Sequence, residues 1–265
     1  MELLIFTENA PIELVWALIV ILLAAYANGL LGMGFVSVAM PLLVFTLSFR
    51  SAMILTVPVA FFLSARMTFF GGKTREAVFG FWPMPVLMVL GGLSGAWLYQ
   101  NLPAHALMWI ILAALAVFLS VDYLRSKAPQ LPERWILPVG AFFAFLAGNT
   151  EASVNMGAPF LLLFFLLTSL SPQLIVQVCN LCFFTGKVVH IITLSIGGPG
   201  NPPVLVEEWI PGLILVPLCL YLCNQGVRVR ARVSVETYRK WLKGILWIVV
   251  LVLLNRLLIP GGVNP

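Results

Sequence analysis

Charge is scarce in this chain, and long polar segments are missing from it. Only 9% of its 265 residues are Asp, Glu, Lys or Arg, against 61% hydrophobic, and the mean hydropathy is +1.04. The longest polar stretches, Arg125 to Arg134 and Gly226 to Lys240, are loop-sized, so no soluble domain could bury a core of its own. Those values describe a polytopic membrane protein. Lys and Arg are absent before Arg50, where Glu2, Glu8 and Glu13 stand instead. The basic region of a secretory signal peptide is therefore lacking, and the first apolar stretch is expected to stay in the mature protein. Cysteine is sparse: Cys179, Cys182, Cys219 and Cys223 all lie in apolar stretches. The C-x-x-C pair has no second ligand pair and no βαβ context, which favours small apolar core residues over a metal or redox site. There is no Walker motif and no recognisable nucleophile–base or metal-ligand motif, so no cofactor is expected and an enzyme is disfavoured.

What is present is length in apolar runs. Six stretches, roughly 51–70, 82–99, 104–124, 174–197, 209–226 and 240–258, are long enough to cross a ~30 Å hydrocarbon layer as helices. Trp82, Trp97, Tyr99, Tyr123, Trp209 and Trp241 near their ends suit the interfacial belts. Two more, roughly 14–47 and 135–168, are too long for one crossing and are interrupted midway. Each reads as a helical hairpin or a broken pair of half-helices.

The plan runs twice. A polar or glycine-bearing break (Asn28 to Gly34; Gly148 to Asn155) leads to a proline (Pro41; Pro159) and an apolar stretch with one cation (Arg66; Lys187). A Gly-Gly pair, a Trp near a Pro and a later glycine follow in both halves. The fold expected is all-α: two inverted repeats at 1–125 and 135–265, each a re-entrant hairpin plus three transmembrane helices, joined by a cytoplasmic linker at 126–134.

Loop charge argues for the inversion. Lys73 and Arg75, then Arg125, Lys127 and Arg134, mark two first-half loops as cytoplasmic, while Gln100 to Ala104 carries no cation. In the second half the pattern is swapped: Glu207 and Glu208 stand where a cation is expected, and Arg228, Arg230, Arg232, Arg239 and Lys240 follow in the next loop. Both termini then fall outside a bacterial inner membrane, with Arg50 and Arg256 on the less favoured side. The net charge of +5 sits mostly in those loops, so it sets orientation and implies no nucleic-acid partner.

Chemistry is expected where a helix breaks, because lipid cannot satisfy exposed backbone groups there. The first tip offers Asn28, Gly32 and Gly34; the second offers Ser153, Asn155 and Glu151. A half-helix starting at either tip directs its N–H groups and positive dipole end at the cavity, which favours an anion. Lys187, near mid-bilayer, is the strongest single candidate, with Asn180 and His190 on its helical face. Arg66 is its expected counterpart, with snorkelling to the interface as the competing reading. Glu151 could carry a coupling proton, pair with Lys187 or fix its hairpin. Gly91 and Gly95, spaced for helix packing, read as structural.

The Gly32, Met33, Gly34 break running to Pro41, the turn Gly72–Arg75, the glycines Gly95 and Gly226, and the basic run from Gly226 to Arg239 resemble the sulfite exporter TauE/SafE family of anion permeases. The fuller glycine run of that family is replaced in the second copy by Asn149 to Pro159. The resemblance implies a transporter exporting a small anion, sulfite-like or a sulfonate. Partners are then that anion and membrane lipid, and homo-oligomerisation is left open. An importer, an intramembrane enzyme using Glu151 and His190, and an assembly or sensor subunit are the alternatives.

Overall fold

The computed structural model describes residues 11–125, 130–198 and 202–229, with 247, 250, 251 and 254. The stretch expected at 240–258, most of the last basic loop and part of the linker lie outside the described residues. Among the described ones the chain is all-helical: α1 (Pro11–Leu31), α2 (Phe35–Leu43), α3 (Phe49–Phe70), α4 (Thr74–Phe81), α5 (Pro83–Asn101), α6 (Ala104–Arg125), α7 (Glu133–Val154), α8 (Ala158–Leu166), α9 (Pro172–Ile196), a 3₁₀ turn (Val206–Trp209) and α10 (Ile210–Val229).

Among the described residues four helical segments are long and apolar enough to cross a membrane: Pro11–Leu31, Phe49–Phe70, Pro172–Ile196 and Val206–Val229. A fifth arises if α4 and α5, bent by 71°, count as one. The bend falls where Trp82 precedes Pro83, whose ring and missing N–H interrupt the helical ladder.

Both interrupted stretches fold as hairpins with unequal limbs, 21 then 9 residues in the first and 22 then 9 in the second. The halves of each expected pair are thus a full-length helix and a short return. Trp16 Nε1 donates to the Leu42 carbonyl at 3.2 Å, pinning the far end of α2 to the early turns of α1. Leu131 N–H donates to the Leu167 carbonyl at 2.8 Å and closes the open end of the second hairpin in the same way. Left-handed residues make the turns. Gly32 and Gly34 have φ of 83° and 99°, conformations that side chains resist, and the second break uses Asn155 at φ 60°.

The two halves match in register. One sequence interval separates Asn28 from Glu151, Phe35 from Ala158, and Ser48 from Ser171; both serines cap the N-terminus of the long helix that follows, α3 or α9. They also interlock. Helix α1 packs on α10 of the other half and α7 on α5; α3 meets α10 as α9 meets α5, and α3 and α9 pack on each other.

Glycines set the closest crossings. A Cβ on Gly91 would meet the Phe145 carbonyl, on Gly95 the Asn149 carbonyl, and on Gly148 the Met88 carbonyl, so α5 and α7 touch backbone to backbone. Gly29 and Gly226 do the same for α1 and α10. Helix association in lipid relies on this kind of close packing, since tails are as apolar as leucine. The cysteines are free and buried among apolar side chains.

At one end of α3, Arg50 donates to the Pro202 carbonyl at 2.8 Å and pairs with Glu208 at 3.4 Å. Arg50 thus has a local acid. At the other end of α3, Gln177 of α9 donates to the carbonyls of Met67 (3.1 Å) and Thr68, and to Thr74 Oγ1 at 3.2 Å. Neither tie is legible in the sequence, since the partners lie more than a hundred residues apart.

Candidate functional site

The two hairpin tips meet at one cavity. It is small, ≈ 20 Å³, about the room one water requires. Its lining includes Asn28, Ser37, Ser64, Glu151, Asn180 and Lys187, together with the first residues of α2 (Phe35, Val36) and the start of α8 (Gly157, Ala158). Both short helices therefore begin at the cavity. The N–H groups of a first helical turn have no acceptor within their own helix, so each start presents donors and a positive dipole end.

Each break is braced by the side chain at the equivalent register position. Asn28 Oδ1 accepts from Phe35 N–H at 3.1 Å, and Glu151 Oε2 accepts from Gly157 N–H at 2.7 Å. The braces serve as remote N-caps. Asn28→Ala should cost about 1 kcal/mol, by analogy with loss of an N-cap, read as a lower melting temperature of the purified protein.

The helices of the opposite half hold the tips as well. Asn180 Nδ2 on α9 donates to the Gly32 carbonyl at 2.7 Å, and Asn155 Nδ2 donates to Thr56 Oγ1 on α3 at 2.8 Å. Each tip is thus tied to a long helix across the molecule.

Lys187 is 1% exposed and Glu151 2%. The ammonium forms an ion pair with Glu151 Oε1 and donates to Asn155 Oδ1. Glu151 accordingly does two jobs: one oxygen neutralises Lys187, the other fixes the start of α8. A buried ammonium needs such compensation, since an isolated charge in a low-dielectric interior is strongly penalised.

The residues expected from sequence divide. Asn28, Gly34, Asn180, Lys187 and Glu151 line the cavity, while Gly32 and Asn155 act one step behind it through the bonds above. Ser153 spends its hydroxyl on the Asn149 carbonyl of its own helix at 2.8 Å. His190 is fully buried, with no hydrogen-bond partner at either ring nitrogen among the described residues, and lies outside the lining. Arg66 is not part of the lining; its guanidinium sits 4.8 Å from the centroid of the Phe70 ring, toward the end of α3. The interval that relates the repeats places Ser64, not Arg66, opposite Lys187, and Ser64 lines the cavity.

Ser37 was not expected. It occupies the third position of α2, is 1% exposed, lines the cavity and has no hydrogen-bond partner for its hydroxyl among the described residues. Leaving a buried hydroxyl unpaired costs ~1–3 kcal/mol. No sequence pattern distinguishes this serine from one packed between helices.

Among the described residues no group of His, Cys, Asp and Glu is arranged to hold a metal ion. A cavity bounded by two helix N-termini and a buried ammonium suits a small anion once the Glu151 carboxylate no longer neutralises that ammonium. Comparison with curated proteins and with solved structures finds no match. A family model described as Sulfite exporter TauE/SafE matches residues 17–253.

Proposed function

This chain belongs to the sulfite exporter TauE/SafE family, and from that premise we propose that it is a secondary transporter exporting a small anion, sulfite or a sulfonate, across the bacterial inner membrane. The observation that carries the reading is the cavity at the two hairpin tips. It gathers the starts of α2 and α8 and the Lys187 ammonium in the interior of an apolar chain. Ionisable groups at such depth are costly and usually functional. Electrical driving force suffices in principle, since moving one negative charge out of a negative-inside cell gains about 2.3 kcal/mol per 100 mV.

In this reading the repeats, 1–125 and 135–265, are inverted about an axis in the membrane plane, with both termini outside. The matched register and the reciprocal packing of α1 on α10 and α7 on α5 support it. The halves rock about the tips to open the cavity to alternate sides. As the cavity stands it is too small for sulfite, so entry requires the Glu151 carboxylate to leave Lys187 and the anion to take its place. A proton on Glu151 favours that exchange by removing the competing charge and would couple transport to pH.

The test is efflux of sulfite and methanesulfonate from proteoliposomes. Wild-type protein should move at least one of them, and Glu151→Gln should flatten the pH dependence of the rate. An unaltered pH profile would reject coupling through Glu151; absence of anion movement or binding by the wild type would reject the transport reading.

A further inference from the structure

We propose that Ser37 and the first turn of α2 form an oxyanion subsite in the first repeat, facing the Lys187 side of the cavity, and that this subsite selects anions with two or more oxygens. The inference rests on the transport reading above and adds to it the residue that sets the substrate class. Two independent observations converge. The first is the start of α2 at the cavity, a helix of nine residues whose N-cap Gly34 offers no side-chain bond to the first-turn N–H groups. The second is the Ser37 hydroxyl, buried, unpartnered and part of the same lining.

The chemistry follows from what each side of the cavity can donate. Phe35 N–H is taken by Asn28, which leaves the next amides of the turn and the Ser37 hydroxyl as donors on this side. The Lys187 ammonium belongs to the same lining and is paired with Glu151; in this proposal the anion displaces that carboxylate. A sulfite or sulfonate spreads its charge over three oxygens around one sulfur. One oxygen can accept from Ser37 and the α2 amides while another meets Lys187. A monatomic anion can satisfy one side only, and a carboxylate, with its two oxygens in one plane, fits less well. Phe160 stands at the register position of Ser37 in the second repeat. That repeat supplies the ammonium, so the two halves contribute different donors to one ligand.

The experiment titrates sulfite, methanesulfonate and bromide into purified wild-type protein, Ser37→Ala, Ser37→Cys and the Lys187→Met, Glu151→Gln double variant, by calorimetry in detergent at one pH. A donated hydrogen bond to a charged ligand predicts that Ser37→Ala binds sulfite and methanesulfonate about ten- to hundredfold more weakly, with bromide changed by less than about threefold. Ser37→Cys, nearly isosteric but a weak donor, should follow Ser37→Ala. Unchanged sulfite affinity in both serine variants, with binding abolished in the double variant, would overturn the subsite and leave the transport reading intact. Equal weakening for all three anions would likewise overturn it, since lost packing does not discriminate. If the wild type binds none of the probes, both readings fall together.

Discussion

Replacing Lys187 by methionine and Glu151 by glutamine in one protein is expected to leave a folded, membrane-inserted chain that neither binds nor moves the anion. Lys187→Met alone should be far more damaging to stability, by about 3–5 kcal/mol, because it strands the Glu151 carboxylate in a buried site. The difference between single and double variants is the informative quantity. Lys187 and Glu151 are in contact and share Asn155 and the α8 start as neighbours, so their effects should not add. Glutamine retains an oxygen to accept from Gly157 N–H, and methionine fills the volume of the lysine stem without a charge. Thermal melting of the three proteins in one detergent checks the stability ranking. Sulfite binding checks the function: a double variant that still binds sulfite with wild-type affinity would remove Lys187 from the site.

Gly95→Leu is expected to abolish the folded state. The Cβ of any residue at Gly95 would run into the Asn149 carbonyl, and the leucine branches have nowhere to go between two backbones. Asn149 precedes Glu151 by less than a turn, so forcing α5 from α7 also displaces the carboxylate that neutralises Lys187. Over-packing ordinarily costs 1–3 kcal/mol when side chains can yield; here backbone opposes backbone, and lipid offers no hydrophobic gain to restore the contact. Loss of the monodisperse peak in fluorescence-detected size-exclusion chromatography would report it. Gly80→Leu is the control, since a Cβ at Gly80 meets nothing within 4 Å. A well-behaved Gly95→Leu protein would show that the crossing is looser than its geometry.

Much of the site was legible before any fold was known, and the reasons are local. Asn28, Glu151 and Asn155 stand inside interruptions of long apolar runs, where a polar side chain is costly unless it is buried in protein or lines a cavity. Lys187 stood out because a cation in the middle of a span is costly. Arg66, expected as the counterpart of Lys187, is not in the lining, because position within an apolar stretch is coarser than helical register. Two residues are enough to turn a side chain from the cavity side of α3 to the Phe70 side, and the matched interval assigns that place to Ser64. Ser37 stayed hidden because a serine in a membrane helix ordinarily bonds its own backbone.

By itself the sequence determined the solvent, the two interruptions and the doubled plan. Each is a sum or a spacing along the chain, and hydrophobic burial in lipid depends on little else. Tertiary structure alone decided that the interrupted stretches return as hairpins with one short limb, that Glu151 closes on Lys187, and that the hydroxyl of Ser37 stands unpaired at the cavity. Those facts depend on helix rotation, crossing distance and the meeting of segments far apart in sequence. Such contacts arise only when backbones can approach at Gly29, Gly95, Gly148 and Gly226, which no periodicity within one helix specifies.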